Sequence, residues 1–121
     1  MPSIEVPKPP ELIIFADERI VVNPAETLVF ADNQPLELFD AQYHLLRLLG
    51  GSAGRVLQHS RLDTLLREVD ISGSGSAVRT NLSRLRARLN EVDAKLGDNR
   101  TGAIRAVRGI GYRAVRSLTD R

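Results

Sequence analysis

Residues 107–114 read VRGIGYRA, and Gly109, Gly111 and Ala114 satisfy the G-x-G-x-x-[GA] pattern that can cradle a dinucleotide pyrophosphate. That chemistry needs a helix directly after the glycines, because the phosphates sit on the N–H groups of its first turn, and a βαβ unit beyond it. Seven residues follow Ala114, which leaves no room for either, so no cofactor is expected here. Other reactive types are equally unpromising. His44 and His59 are the only histidines, each reads as a surface helix residue rather than a general base, and they do not form an H-x-x-x-H pair. The run SGSGS lacks the G-K-[ST] of a phosphate loop, and Asp17-Glu18 reads as a solvated turn. With no cysteine there is no disulfide or thiolate site, and no metal site is expected. An enzyme is not the expectation.

Arginine is what this chain has in quantity. Residues 1–75 carry 6 basic and 11 acidic side chains, net −5, whereas residues 76–121 carry 11 and 4, net +7. Only Lys8 and Lys95 of the 17 basic residues are lysine. A genome that favours arginine codons would explain the choice of arginine but not its clustering. One surface for a polyanion explains both.

The elements that would position these arginines follow from periodicity. MPSIEVPKPPE, residues 1–11, reads as a flexible Pro-rich leader or linker. Short β-like pieces at 12–16, 20–22, 27–30 and 36–38 are separated by turn formers, with Asp32-Asn33 suited to a hairpin. They predict an antiparallel sheet of up to four strands with one face covered. A helix is expected from Asp40, as N-cap, to a stop at Gly50-Gly51. A second fits SRLDTLLREV, capped near Ser60 or Gln58, with Leu62, Leu65, Leu66 and Val69 inward. DISGSGS then reads as a loop.

The third helix, about residues 76–96 with Gly97 as its stop, carries Val78, Leu82, Leu85, Leu89, Val92 and Leu96 at spacings of 4, 3, 4, 3 and 4. At about 100° per residue, Ser76, Thr80, Ser83 and Ala87 lie across from that stripe, flanked by Arg79 and Arg86 on one side and Arg84 and Arg88 on the other. Small residues let the backbone approach a surface while guanidinium groups reach past it, as a B-DNA major groove requires. The plainer alternative is a surface helix whose arginines pair with distant carboxylates. After DNRTG, the segment AIRAVRGIGYRAV alternates and predicts a terminal hairpin, about 103–116, meeting at residues 108–111. Ile104, Ala106 and Ala114 would face one way, and Arg105, Val107, Arg113 and Val115 the other.

In this order, LELFDAQYHLLRLL, GRVL, VRTNLSRLRARL and IRAVRGIGYRA resemble the winged-helix effector domain of OmpR/PhoB-type response regulators of two-component systems, over residues 13–115. The resemblance implies an α+β winged helix-turn-helix: an N-terminal antiparallel sheet, three helices and a C-terminal β-hairpin wing, spanning residues 12–116 with a frayed end at 117–121. It implies sequence-specific binding of double-stranded DNA in transcriptional regulation, with the third helix in the major groove and the wing in the minor groove. By position, Arg79, Thr80, Arg84 and Arg108 are the expected base contacts. Ser83, Arg86, Arg88, Arg105 and Arg113 are the expected phosphate contacts. Gly109 and Gly111 would shape the wing turn, and Tyr112 is expected to anchor the core.

Three departures accompany the resemblance. Phe39-Asp40 stands where the family has a Thr cap. The tryptophan near the end of the second helix is missing and the following loop is short, which puts a contact with RNA polymerase in doubt. Ala106 replaces a phosphate-binding Thr. The family often binds tandem half-sites as a head-to-tail homodimer. The alternative function is a winged-helix interaction module docking an acidic protein partner. No membrane association is expected, and the expected location is cytoplasmic.

Overall fold

The computed structural model describes residues 11–69 and 75–120, with side chains in the third helix from Ala77 onward; the leader through Pro10, most of the DISGSGS loop and Arg121 lie outside the described residues. The chain opens with four strands, β1 (Ile13–Phe15), β2 (Ile20–Asn23), β3 (Leu28–Ala31) and β4 (Gln34–Pro35), paired antiparallel in sequence order. The register sets Phe15 against Ile20 and Val22 against Val29, so Phe15, Ile20, Val22, Val29 and Ala31 share one buried face. The fourth strand lies at 34–35, not at the expected 36–38. Asp32 and Asn33, with φ of 50° and 65°, make a two-residue turn that pairs Ala31 with Gln34 at once. Leu36 then leaves the strand and buries its side chain in the core.

Helix α1 (Asp40–Gly51) begins one residue before expectation. Phe39 is the N-cap, and its N–H donates to Gln42 Oε1 at 3.3 Å, so Asp40 is the first helical residue, with its carboxylate at the positive end of the helix. The helix runs through both glycines that were expected to stop it and turns only at residues 52–54. Helix α2 (His59–Glu68), capped at Gln58, buries Leu62 and Leu66; Leu65 is half-buried and Val69 exposed, because the helix has ended before it.

The short strand β5 (Val56–Gln58) precedes α2 and was not foreseen. It pairs with β7 (Gly111–Ala114), which pairs in turn with β6 (Ile104–Val107), giving a second sheet of order β5-β7-β6. Pairing of Ile104 with Ala114 and of Arg105 with Arg113 gives the expected division of faces.

Helix α3 (Gly75–Val92) presents Val78, Leu82, Leu85 and Leu89 to the core with no exposure. It is shorter than the expected 76–96. Asp93 turns extended, at φ −156° and ψ 128°, and its carboxylate accepts the Lys95 N–H to cap a separate turn, α4 (Ala94–Gly97). The break still lets Leu96 bury fully. Residues 115–120 are tied down, where fraying was expected from 117. Ala16 N–H donates to Val115 O at 2.9 Å, Asp17 N–H to Arg116 O at 2.8 Å, and Leu118 N–H to Asp17 Oδ2 at 2.9 Å.

Candidate nucleic-acid interface

Opposite its buried stripe, α3 exposes Arg79, Thr80, Ser83, Arg84 and Ala87. Ser76 was expected in the same row, but its side chain is outside the described residues. Among the described residues Arg79 and Arg84 enter no ion pair, so their guanidinium groups remain available to an outside anion. Arg88 differs from them. Its Nη1 meets Glu91 Oε2 at 2.5 Å and its Nη2 reaches the Glu37 carbonyl at 3.4 Å. Part of its charge is therefore answered within the protein.

Arg86 leans the other way, onto the wing sheet. Its guanidinium carbon stands 5.7 Å from the centre of the Tyr112 ring, and its Nη1 is buried without a hydrogen-bond partner among the described residues. Burial pulls the group below the ordinary arginine range, with Tyr112 opposing that shift. Leaving a donor of a cation dry and unmatched is costly. Tyr112 itself is 6% exposed and packs edge-to-face with the His59 ring, centroids 4.9 Å apart, which makes it the expected anchor.

At the far end of the wing, Arg108 and Ile110 are exposed on a three-residue turn closed by Ile110 N–H donating to Val107 O at 2.9 Å. The two glycines act differently from each other. Gly109 has φ +76° with no atom within 4 Å of a notional Cβ, so it supplies the left-handed turn. Gly111 supplies space, since a Cβ there would sit 2.0 Å from the Leu57 carbonyl oxygen of β5. The expectation of a shared turn role holds for Gly109 only.

Arg105 corrects the expected list of phosphate contacts. It is 7% exposed, and its guanidinium donates to the carbonyls of Gly102 (3.1 Å), Asp120 (2.5 Å), Thr101 (3.2 Å) and Leu118 (2.8 Å). Four of five donors are used, leaving no fork for an outside phosphate. Arg113 pairs across the sheet with Arg105 and Val56, on the face away from Tyr112 and Arg86. It is half-buried, and its Nε has no partner among the described residues. Thus the structure brings together Arg79, Thr80, Ser83 and Arg84 on α3 and sets Arg86 beside them toward the wing. Arg108 stands at the tip, and Arg105 and Arg113 occupy another face.

An ion triad that no local signal announces steadies this arrangement. Arg19 Nε and Nη2 grip Asp32 Oδ1 and Oδ2, each at 2.7 Å, and Nη2 also meets Asp93 Oδ2 at 2.5 Å. The first sheet is thereby bolted to the C-terminal end of α3, which fixes how the helix projects.

The profile described as "Transcriptional regulatory protein, C terminal" matches residues 33–114. The chain belongs to this family. The chain is 32% identical over 104 residues to the regulatory protein VanRB of Enterococcus faecalis, covering 86% of this chain and 43% of that protein. It is 34% identical over 98 residues to the probable transcriptional regulatory protein y4xI of Sinorhizobium fredii, covering 81% and 40%. The chain spans about two fifths of the length of these curated relatives. Its fold matches the Klebsiella pneumoniae RstA DNA-binding domain, solved in complex with the RstA box, at TM-score 0.69 and 27% identity, covering 88% of this chain and 98% of that one. It also matches the C-terminal effector domain of BfmR from Acinetobacter baumannii at TM-score 0.69 and 25% identity, covering 94% and 98%. The regulatory domain is the α+β effector fold of OmpR/PhoB type, as its sequence implied. No helix among the described residues is long and apolar enough to cross a membrane.

Proposed function

We propose that this regulatory domain binds double-stranded DNA in a sequence-dependent manner, with the exposed row of α3 in the major groove and the wing tip at the adjacent minor groove. One observation carries the reading. Arg79, Thr80, Ser83 and Arg84 form an exposed row with its cations unpaired among the described residues, on a helix whose opposite face is wholly committed to the core. Such a row satisfies both requirements of readout, small side chains for close approach and arginine forks for guanine edges. The RstA complex supports the reading by family kinship.

Within it, Arg84 is the leading base reader, flanked by Arg79 and Thr80, and Arg108 enters the minor groove. Ser83 and Arg86 hold phosphates, and Arg88 contributes once it lets go of Glu91. Arg113 would need to turn its half-buried side chain outward to reach a phosphate. Tandem half-sites bound by a head-to-tail pair complete the proposal. The test is fluorescence anisotropy with duplex DNA over a salt series. Log affinity should fall linearly with log salt, and Arg86→Ala should lower the slope by about 1 while weakening all sequences alike. Binding that is absent at every salt concentration would refute the reading and favour a module that docks an acidic protein.

A further inference from the structure

Resting on the DNA-binding reading, we propose that Arg105 is a positioning residue for the wing, holding the angle of the β6–β7 hairpin through residues 115–120 and Asp17. Two of the carbonyls it binds, those of Thr101 and Gly102, lie on the loop entering β6. The other two, from Leu118 and Asp120, lie on the segment leaving β7. One planar guanidinium therefore ties both ends of the hairpin base together. Lysine could not do this, because its point charge lacks the fork.

The exit segment is itself anchored to the first sheet. Ala16, Asp17 and Glu18 all adopt the left-handed region, with φ of 55°, 58° and 65°. This conformation turns the N–H groups of Ala16 and Asp17 onto the carbonyls of Val115 and Arg116, and the Asp17 carboxylate receives the Leu118 N–H. The route from Asp17 through Leu118 to Arg105 is continuous, and it ends in the strand that leads to Arg108.

Past the Gln58–Gly111 pair of the ladder the tip is closed by the Ile110 N–H on Val107 O, with Arg108 and Ile110 exposed and open space around Gly109. At a strand rise of about 3.4 Å per residue, Arg108 lies roughly 10 Å beyond Arg105. A tilt of about 10° at the base would displace the tip by about 2 Å, enough to break a hydrogen bond made there.

The test is a double-mutant cycle on the full chain, read by anisotropy on a duplex selected from a random pool, with thermal unfolding to check folding. Arg105→Met and Arg108→Ala should each weaken binding about tenfold, and the double variant should be no more than about twofold weaker than the worse single one. Arg105→Lys should behave like Arg105→Met, and the salt slope of both should equal that of the unmutated chain. Multiplying fold-changes, an unchanged affinity, or a slope reduced by about 1 would overturn the proposal, the last by making Arg105 a phosphate ligand. If Arg105→Met does not fold, Asp17→Gly decides by the same cycle, since glycine keeps the left-handed turn and removes only the carboxylate. If the unmutated chain binds no duplex at any salt, the DNA-binding reading itself falls and takes this proposal with it.

Discussion

Replacing Gly111 by alanine tests the packing logic of the wing most directly. The new methyl would lie 2.0 Å from the Leu57 carbonyl oxygen, where a carbon–oxygen contact needs about 3.3 Å. The obstacle is backbone in a paired strand, so no rotamer change relieves it. Either β5 moves by more than about 1 Å or its ladder with β7 opens at Gln58 and Gly111, the last pair of the register. Overpacking of this kind costs about 3 kcal/mol, the upper end of its usual range. For a 121-residue chain, with an unfolding entropy of about 2.1 cal/mol/K per residue, the melting temperature should fall by about 12 °C.

Gly109 supplies the control. Alanine there meets no atom within 4 Å and pays only for φ +76°, about 1–2 kcal/mol. Asparagine, which tolerates the left-handed region, should restore most of that loss at 109 and none of it at 111. Thermal unfolding followed by circular dichroism measures all four variants. Equal losses for Gly109→Ala and Gly111→Ala, or equal rescue by asparagine at both positions, would refute the assignment of turn to one glycine and space to the other.

Three further predictions concern other parts of the molecule. Arg84→Ala should cost about 1–3 kcal/mol and relax preference at one base position, measured on single-base variants of a selected site; an unchanged ratio of specific to random binding would remove Arg84 from base readout. Leu85→Ala empties a site with no exposure on the face opposite the exposed arginine row, and it should destabilise by about 2–5 kcal/mol in chemical denaturation. A loss under about 1 kcal/mol would show that the stripe is not the core. Arg19→Met tests the triad through pH. The Arg19 hydrogen bonds hold the Asp32 carboxyl below the usual range, and the Lys95 N–H followed by Arg19 does the same for Asp93. Lowered folded values mean that the stabilisation is present above about pH 4 and lost as pH falls through them. The melting-temperature gap between Arg19→Met and the unmutated chain should therefore be wide at pH 7 and narrow as pH falls below about 4, and a gap independent of pH would contradict this.

Most of the candidate interface was legible in the chain because it depends on helical periodicity. Stripe, row and arginine flanks are set by spacing along a single element, and α3 has only to dock in one orientation for the exposed row to follow. Individual side chains were less legible wherever their partners are remote in sequence. Arg88 is not one of these, since it meets Glu91 three residues away, a pairing that helical spacing allows. Arg86, on α3, is half-buried only because Tyr112 of β7 comes against it.

By itself the sequence determined the alternation of the early strands, the three amphipathic helices, the Asp32-Asn33 hairpin and a basic C-terminal half that ends in a glycine-bearing wing. These rest on local periodicity, turn conformation and the count of charges, and none needs a distant partner. Tertiary structure alone decided that three residues, Val56–Gln58, become a strand, since only β7 gives them hydrogen bonds. It decided that α3 ends at Val92, because Asp93 turns aside to meet Arg19 across 74 positions. And it decided that Arg105 serves carbonyls rather than phosphates: an arginine in an alternating strand looks the same from the sequence whichever it meets, until residues 101–102 and 118–120 converge on it.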